Sequence, residues 1–403
     1  MNWQQYKNEL QHELGDILQY WMQYAVDEEQ GGFYGRIDND NKQYTDAPKG
    51  AVLNARILWT FSAAYNTTGD KKYLVMADRA FNYLVNHFVD NKYGGVFWSV
   101  DAKGNPLDTK KQLYAQAFAI YGCSEYYKCN NLEQAKLLAI HIYEFIQQYS
   151  YDVDNGGYLE ALGRDWQPID DLRLSEKDAN TKKTTNTHLH ILEAYTNLYR
   201  IHPVQELANY LTLLLNNFEE HIINKSNWHL DLFFDENWQV SPGIISYGHD
   251  IEAAWLLLEA AEVLDNEELV EKMKQAALNM ADAVLQEGID TDGGLWYEYE
   301  PAQKKLIKEK HWWPQAEAMV GFVNAWQISR EEKYRQAVFN NWAFINKYIR
   351  DNKNGEWFWG INSNHTVMPG EDKAGLWKCP YHNSRSCMEI IRRLESETVT
   401  SKD

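Results

Sequence analysis

The sequence predicts an all-α fold, a six-hairpin (α/α)6 toroid, and three observations carry that prediction. A Gly-Gly-aromatic turn recurs along the chain at intervals of 62 to 75 residues. Between successive turns lie two segments whose apolar residues are spaced three and four apart, the signature of amphipathic helix. The first and last copies resemble the middle ones, whereas an open solenoid ends in atypical polar caps. The array is therefore expected to close, with one ring of helices inside another.

Each element has its own warrant. The turns read Gly31-Gly32-Phe33-Tyr34, Gly94-Gly95-Val96-Phe97-Trp98, Gly156-Gly157-Tyr158-Leu159 and Gly293-Gly294-Leu295-Trp296-Tyr297. A degenerate copy is Gly355-Glu356-Trp357-Phe358-Trp359, and Asp231-Leu232-Phe233-Phe234-Asp235 is a more divergent candidate. Asp or Asn often precedes them, as in Asp152-Val153-Asp154-Asn155, which is tight-turn chemistry followed by a short extended segment. Met1–Tyr24 supplies a preceding outer helix. Ala51–Asn66 carries Val52, Leu53, Ile57, Leu58 and Phe61, and Lys71–Phe88 carries Tyr73, Leu74, Ala77, Ala80, Phe81 and Leu84. Gln112–Cys129 with Leu132–Tyr149, and Asp250–Leu264 with Asn266–Leu285, repeat the pair. The first helix of each pair is apolar or small on every side, as expected of a helix buried on two faces. No Pro/Gly/Ser-rich linker interrupts the chain, so residues 1–403 read as one catalytic domain.

Composition narrows the partners. Fifty-eight acidic residues against 39 basic give a net charge of −19, which disfavours nucleic acid and anionic membrane surfaces, since both need a cationic face. No run reaches the length of a membrane span, and no secretory leader pattern is visible in the first residues, so a cytoplasmic protein is expected. The four cysteines, Cys123, Cys129, Cys379 and Cys387, lack CxxC spacing, which fits a reducing compartment. Sixteen Trp, 26 Tyr and 14 Phe exceed ordinary usage, and rings with one polar atom suit sugar stacking as well as packing.

Polar and aromatic residues gather at the start of each inner helix. In order they are Arg56; Tyr114 and Gln116; Asn186 and His190; His249 and Glu252; Trp312, Trp313 and Glu317; and Trp377, His382 and Arg385. In a closed toroid all six sets meet at one mouth, with the positive ends of the inner-helix dipoles. A lone histidine on an apolar helix is ordinarily core packing; six converging clusters are not. His249 and Glu252 are three apart and share a face, as Asn186 and His190 do at four. Arg56 among Leu53 and Ile57 needs a carboxylate or a ligand oxygen as partner. His190, His249 and His382 could suggest zinc, but no HExxH or carboxylate spacing supports it. His188 is read as packing or capping.

Aromatic walls, neutral-range bases and one guanidinium point to a neutral sugar. An inverting glycoside hydrolase would need two carboxylates roughly 6.5–9.5 Å apart, for which Glu252 and Glu317 are the candidates. An epimerase or isomerase needs bases with pKa near neutrality on both faces of the carbon, which histidine supplies. A sugar-binding module would need no base.

Four stretches then resemble a known family: Tyr247-Gly-His-Asp-Ile-Glu-Ala-Ala-Trp-Leu256, Asn186-Thr-His-Leu-His-Ile-Leu-Glu-Ala-Tyr195, Trp312-Trp-Pro-Gln-Ala-Glu317 and Trp377-Lys-Cys-Pro-Tyr-His-Asn-Ser-Arg385. Together they resemble the N-acylglucosamine 2-epimerase superfamily, the last one its cellobiose 2-epimerase branch; mannose 2-epimerases are a near alternative within it. The resemblance implies an (α/α)6 barrel. It implies that His249 and His382 are general base and acid at C2, that His190 assists ring opening or the intermediate, and that Arg56 holds enediolate oxygens. Glu252 and Glu317 would orient the histidines and bind hydroxyls, Asn186 would contact a hydroxyl, Trp313 and Trp377 would be platforms, and Asp178 a further sugar-binding carboxylate. Tyr114 and Trp312 complete the expected substrate site. No metal or organic cofactor is expected, and the partner is a neutral mono- or disaccharide bound by a monomer.

Overall fold

The computed structural model describes residues 1–176 and 178–400. Helix α1 (Trp3–Tyr24) is followed by five hairpins: α2 (Ala51–Thr68) with α3 (Lys71–Tyr83), α4 (Leu113–Asn130) with α5 (Glu133–Tyr149), α6 (Thr185–Tyr199) with α7 (Gln205–Asn217), α8 (Tyr247–Val263) with α9 (Glu267–Glu287), and α10 (Trp312–Ser329) with α11 (Glu332–Phe344). Helix α12 (Tyr381–Thr400) ends the series. Each even-numbered helix packs on the next and α12 packs on α2, so the inner ring closes; α1 lies against α12 as its outer partner. The (α/α)6 toroid is the observed architecture.

Composition explains which helices go inside. Every residue of α2 from Ala51 to Ala64 is buried, as is every residue of α4 from Leu113 to Tyr126. Helices covered all round must approach their neighbours closely, and glycine permits it. A Cβ on Gly122 would stand 2.7 Å from the Ala55 carbonyl oxygen, and one on Gly321 would stand 2.5 Å from the Ile251 side chain. Outer α3 instead buries only Tyr73, Ala77, Ala80, Phe81 and Tyr83, one stripe at helical spacing. Side chains close several entries: Asn2, Asp70, Thr184 and Asn266 each accept from a first-turn backbone N–H.

The recurring turn is a tight loop closed by one backbone bridge: Val26 with Phe33, Val89 with Val96, Tyr151 with Tyr158, Ile289 with Leu295, and Arg350 with Trp357. Gly94 shows why glycine recurs, because its φ is +75° and a Cβ would lie 2.2 Å from the Phe145 ring. The divergent fourth copy is corrected by the structure. Ile223 pairs with Leu230 there, and Trp228 takes the left-handed backbone at φ +63°, so Trp228-His229-Leu230 matches the turn and Asp231 does not open it. Without glycine the sequence carries no mark of that turn.

Two devices absent from the sequence reading hold turns to their inner helices, the first in every repeat and the second in three. A lysine just before or at the strand entering the helix is buried against the turn aspartate: Lys49 on Asp27 at 2.8 Å, Lys111 on Asp90 at 3.2 Å, Lys183 on Asp152 at 2.8 Å, Lys310 on Asp290 at 2.6 Å and Lys373 on Asp351 at 2.6 Å. In the fourth repeat His229 and Asp250 take their place, at 2.7 Å. The second device is a side chain in the first turn of the inner helix that bonds the turn backbone. Gln116 bonds both polar groups of Val96, Gln315 those of Leu295, and His188 Nε2 accepts from Tyr158 N. Gln116 is therefore a structural residue rather than a site residue, and His188, held at about 4 by burial, is a neutral cap.

Candidate active site

Each turn runs into a short extended segment, and that segment meets the neighbouring inner helix. The carbonyls of Trp98, Glu160, Leu232 and Trp359 accept from the first N–H of α2, α4, α6 and α10 at 2.9–3.1 Å. Helix entry and turn exit thus share one level at the mouth of the barrel. Below that level opens a cavity of about 500 Å3. Its wall includes Arg56, Tyr114, Asp178, Asn186, His190, His249, Glu252, Trp312, Trp313, Trp377 and His382. Residues from all six inner-helix entries and one loop therefore converge, leaving Glu317 as the predicted site residue outside the wall, fully buried behind His382.

The histidines differ in what holds them. His382 Nδ1 lies 2.7 Å from Glu317 Oε1, and His190 Nδ1 lies 2.9 Å from Glu193 Oε2. His249 Nδ1 lies 2.8 Å from Ser246 Oγ, so the expectation that Glu252 orients His249 is corrected: the serine two residues before Gly248 does so. A hydrogen bond at Nδ1 fixes the ring and leaves Nε2 for the cavity. Both His249 and His382 pack against Trp313, with ring centroids 4.8 and 5.8 Å from it. Burial pushes His249 down to about 3, and burial followed by the Arg56 and Arg385 charges pushes His382 well below the usual imidazole range. The rings are neutral, the state a base requires.

Beneath the histidines Arg385 gathers three carboxylates. Its Nη2 donates to Glu252 Oε1 and Glu317 Oε1, each at 2.7 Å, and its Nη1 donates to Glu193 and to the Tyr381 hydroxyl. Glu193 also accepts from Tyr381. Burial opposes ionisation of Glu193, but the Arg385 charge and the His190 hydrogen bond outweigh it and hold the carboxyl at about 2. Glu252, Glu317 and His382 bring ligand-type atoms within 4.8 Å of one another. A metal is not what they are built for, because a guanidinium already stands between the carboxylates. That separation is also shorter than an inverting hydrolase needs to lodge a water, roughly 6.5–9.5 Å.

Arg56 is the other cation. It is 2% exposed, donates to the Tyr114 hydroxyl at 2.6 Å and the Trp377 carbonyl at 3.4 Å, and packs its plane on Phe118. Among the described residues it has no carboxylate within ion-pair distance, and its Nε is unpartnered. A buried guanidinium so placed stabilises negative charge arriving from a ligand. Trp377 is half-buried in the connection before α12, tilted on Trp98 at 5.6 Å and edge-on to Tyr114 at 5.9 Å. Asp178 lies on the 163–182 loop, its carboxylate accepting from Ser175 N and Oγ at 2.8 and 2.9 Å.

The sequence reading missed a second tier of the wall. Glu160, Leu232, Tyr297 and Trp359 all line the cavity, and each lies four residues beyond the first residue of its turn once the fourth copy is aligned on Trp228. That shared register was the available signal. His311, stacked on Tyr297 at 3.8 Å, joins them. Glu193 was also missed, though His190 and Glu193 repeat the i,i+3 spacing noted for His249 and Glu252.

Comparison with known proteins agrees with this geometry. Over 386 residues the chain is 47% identical to a cellobiose 2-epimerase of Bacteroides fragilis, covering 96% of this chain and 98% of that one. The solved structure of cellobiose 2-epimerase from Bacillus thermoamylovorans superposes with a TM-score of 0.93 at 38% identity, covering 97% and 100% of the two chains. A D-mannose isomerase of Marinomonas mediterranea is 23% identical over 96% of this chain and 98% of its own. Residues 32–385, from the first turn to Arg385, match the N-acylglucosamine 2-epimerase (GlcNAc 2-epimerase) family, and the chain belongs to it.

Proposed function

We propose that the chain is a cellobiose 2-epimerase, a carbohydrate epimerase that interconverts the glucose and mannose forms of the reducing-end unit of β-1,4-linked disaccharides. One observation carries the reading: two neutral histidines, each tied at Nδ1, face one aromatic cavity that also holds the Arg56 guanidinium, which has no carboxylate partner among the described residues. Inversion at C2 by proton transfer needs a base on one face of the carbon and an acid on the other. It also needs a cation for the oxygens that become negative. His249 and His382 meet the first requirement and Arg56 the second.

After the pyranose opens, aided by His190, one of the pair takes the C2 proton and a cis-enediolate forms against Arg56. Rotation about C2–C3 turns the other face to the second histidine, which returns a proton. Trp313 lies under the reacting unit and Trp377, outside the helix, under its neighbour. Asn186, Tyr114 and Trp312 complete the inner contacts and Asp178 the outer one. The closed ring works as one catalytic unit on a neutral sugar, in the cytoplasm and as a monomer; its four cysteines are all unpaired.

Incubation with cellobiose in D2O, followed by chromatography and NMR, tests the reading. The expected product is the glucosyl-mannose epimer carrying deuterium at C2. Complete retention of protium at C2 would exclude deprotonation, and a higher kcat/KM on mannose than on cellobiose would move the chain to mannose isomerisation.

A further inference from the structure

The charge state of the carboxylates beneath the histidines decides what they can offer a substrate. Glu193, Glu252 and Glu317 are at most 2% exposed and share the single guanidinium of Arg385. Like charges crowded into a buried site do not all ionise; one carboxyl retains its proton. The donors around each carboxyl identify which. Glu193 accepts from His190, Tyr381 and Arg385. Glu317 accepts from Arg385 and His382 on Oε1 and from Trp255 Nε1 on Oε2 at 3.0 Å. Among the described residues Glu252 accepts from Arg385 alone, on Oε1, and it is the member of the Glu252–Glu317 pair that lines the cavity. An anion is stabilised by the donors it receives, and Glu252 has the fewest.

We propose, on the epimerase reading above, that Glu252 is a neutral carboxylic acid that donates its O–H to a sugar oxygen, while Glu317 remains the anion that orients His382. The groups facing Glu252 are Glu317 from α10, Arg385, Tyr381 and His382 from α12, Glu193 from α6 and Tyr114 from α4. Burial, and after it the Glu317 charge, move the Glu252 carboxyl well above the usual range, in the same direction. A neutral acid beside the reacting carbon gives the developing enediolate a hydrogen bond without adding a negative charge that would oppose it. Arg56 and Glu252 would then hold the intermediate from α2 and α8.

Glutamine has the shape of a neutral acid and keeps a donor, which makes Glu252→Gln the informative variant. Infrared difference spectra of the substrate-free wild type minus Glu252→Gln at neutral pH should show a carboxylic-acid C=O band that shifts in D2O. The Tm of Glu252→Gln should match the wild type, because no charge is removed. Its kcat/KM on cellobiose should exceed that of Glu252→Ala by at least about tenfold, as expected when a donor is kept rather than deleted. Absence of the band, a variant that unfolds or loses stability markedly, or glutamine no better than alanine each overturns the proposal. The infrared and thermal arms need no substrate, so they stand apart from whether the wild type epimerises cellobiose at all.

Discussion

Replacing Glu317 by Gln separates the histidine that is held by an anion from the one that is not. Glu317 accepts from His382 Nδ1 at 2.7 Å, Arg385 Nη2 at 2.7 Å and Trp255 Nε1 at 3.0 Å. Gln fills the same volume, and its amide oxygen still accepts from neighbours, but the charge-assisted bond to His382 becomes a neutral one. A hydrogen bond to a charged group contributes about 1.5–3 kcal/mol and a neutral one about 1, so the loss is about 0.5–2 kcal/mol in holding the ring. The imidazolium formed during turnover loses its counter-ion as well, which adds a similar amount. Together these give about 1–4 kcal/mol, or a fall in kcat of about five- to 900-fold. His249 keeps its own hydrogen bond to Ser246, and the Glu317 charge acts on its ring less than burial does. The assay is C2 proton–deuterium exchange followed by NMR, started from each epimer separately. One epimer should lose exchange more than the other, because only one presents its C2–H to His382. A kcat within twofold of wild type, or equal losses from both epimers, would refute the reasoning, provided circular dichroism shows the fold retained.

Trp377→Ala should lower kcat/KM for cellobiose more than for mannose, by about 1–3 kcal/mol, since only a disaccharide reaches a ring in the connection before α12; equal losses on both substrates would reassign the residue to packing on Trp98. The acid limb of kcat/KM should lie below the free-imidazole value of 6.5, because His249 is moved down to about 3 and a base fails only when protonated. A midpoint at or above 6.5 would show that a solvated histidine governs the rate. Exhaustive EDTA treatment should leave activity intact, since Arg385 stands where a cation would sit; loss restored by Zn2+ would contradict that assignment.

The sequence by itself determined the architecture, because the repeat writes its period into glycines and helical spacing, both local properties. It also placed His190, His249, His382, Arg56 and the tryptophans at one mouth, because every inner helix enters the ring in the same direction. It lost the fourth turn, where Trp228 adopts a left-handed backbone with no glycine to mark it. The partners of each histidine were beyond its reach. The i,i+3 rule pairs His249 with Glu252 as readily as His190 with Glu193, yet only the second pair bonds, since Ser246 reaches His249 first and Arg385, 133 residues away, claims Glu252. Helical spacing says which side chains can share a face; which of them meet is decided by what the neighbouring helix brings. The tier of Glu160, Leu232 and Trp359 has the same origin: each meets the inner helix of the adjacent repeat, a contact made by the packing of one repeat on the next. The turn lysines are different, since each pairs with an aspartate of its own repeat, 20 to 31 residues earlier.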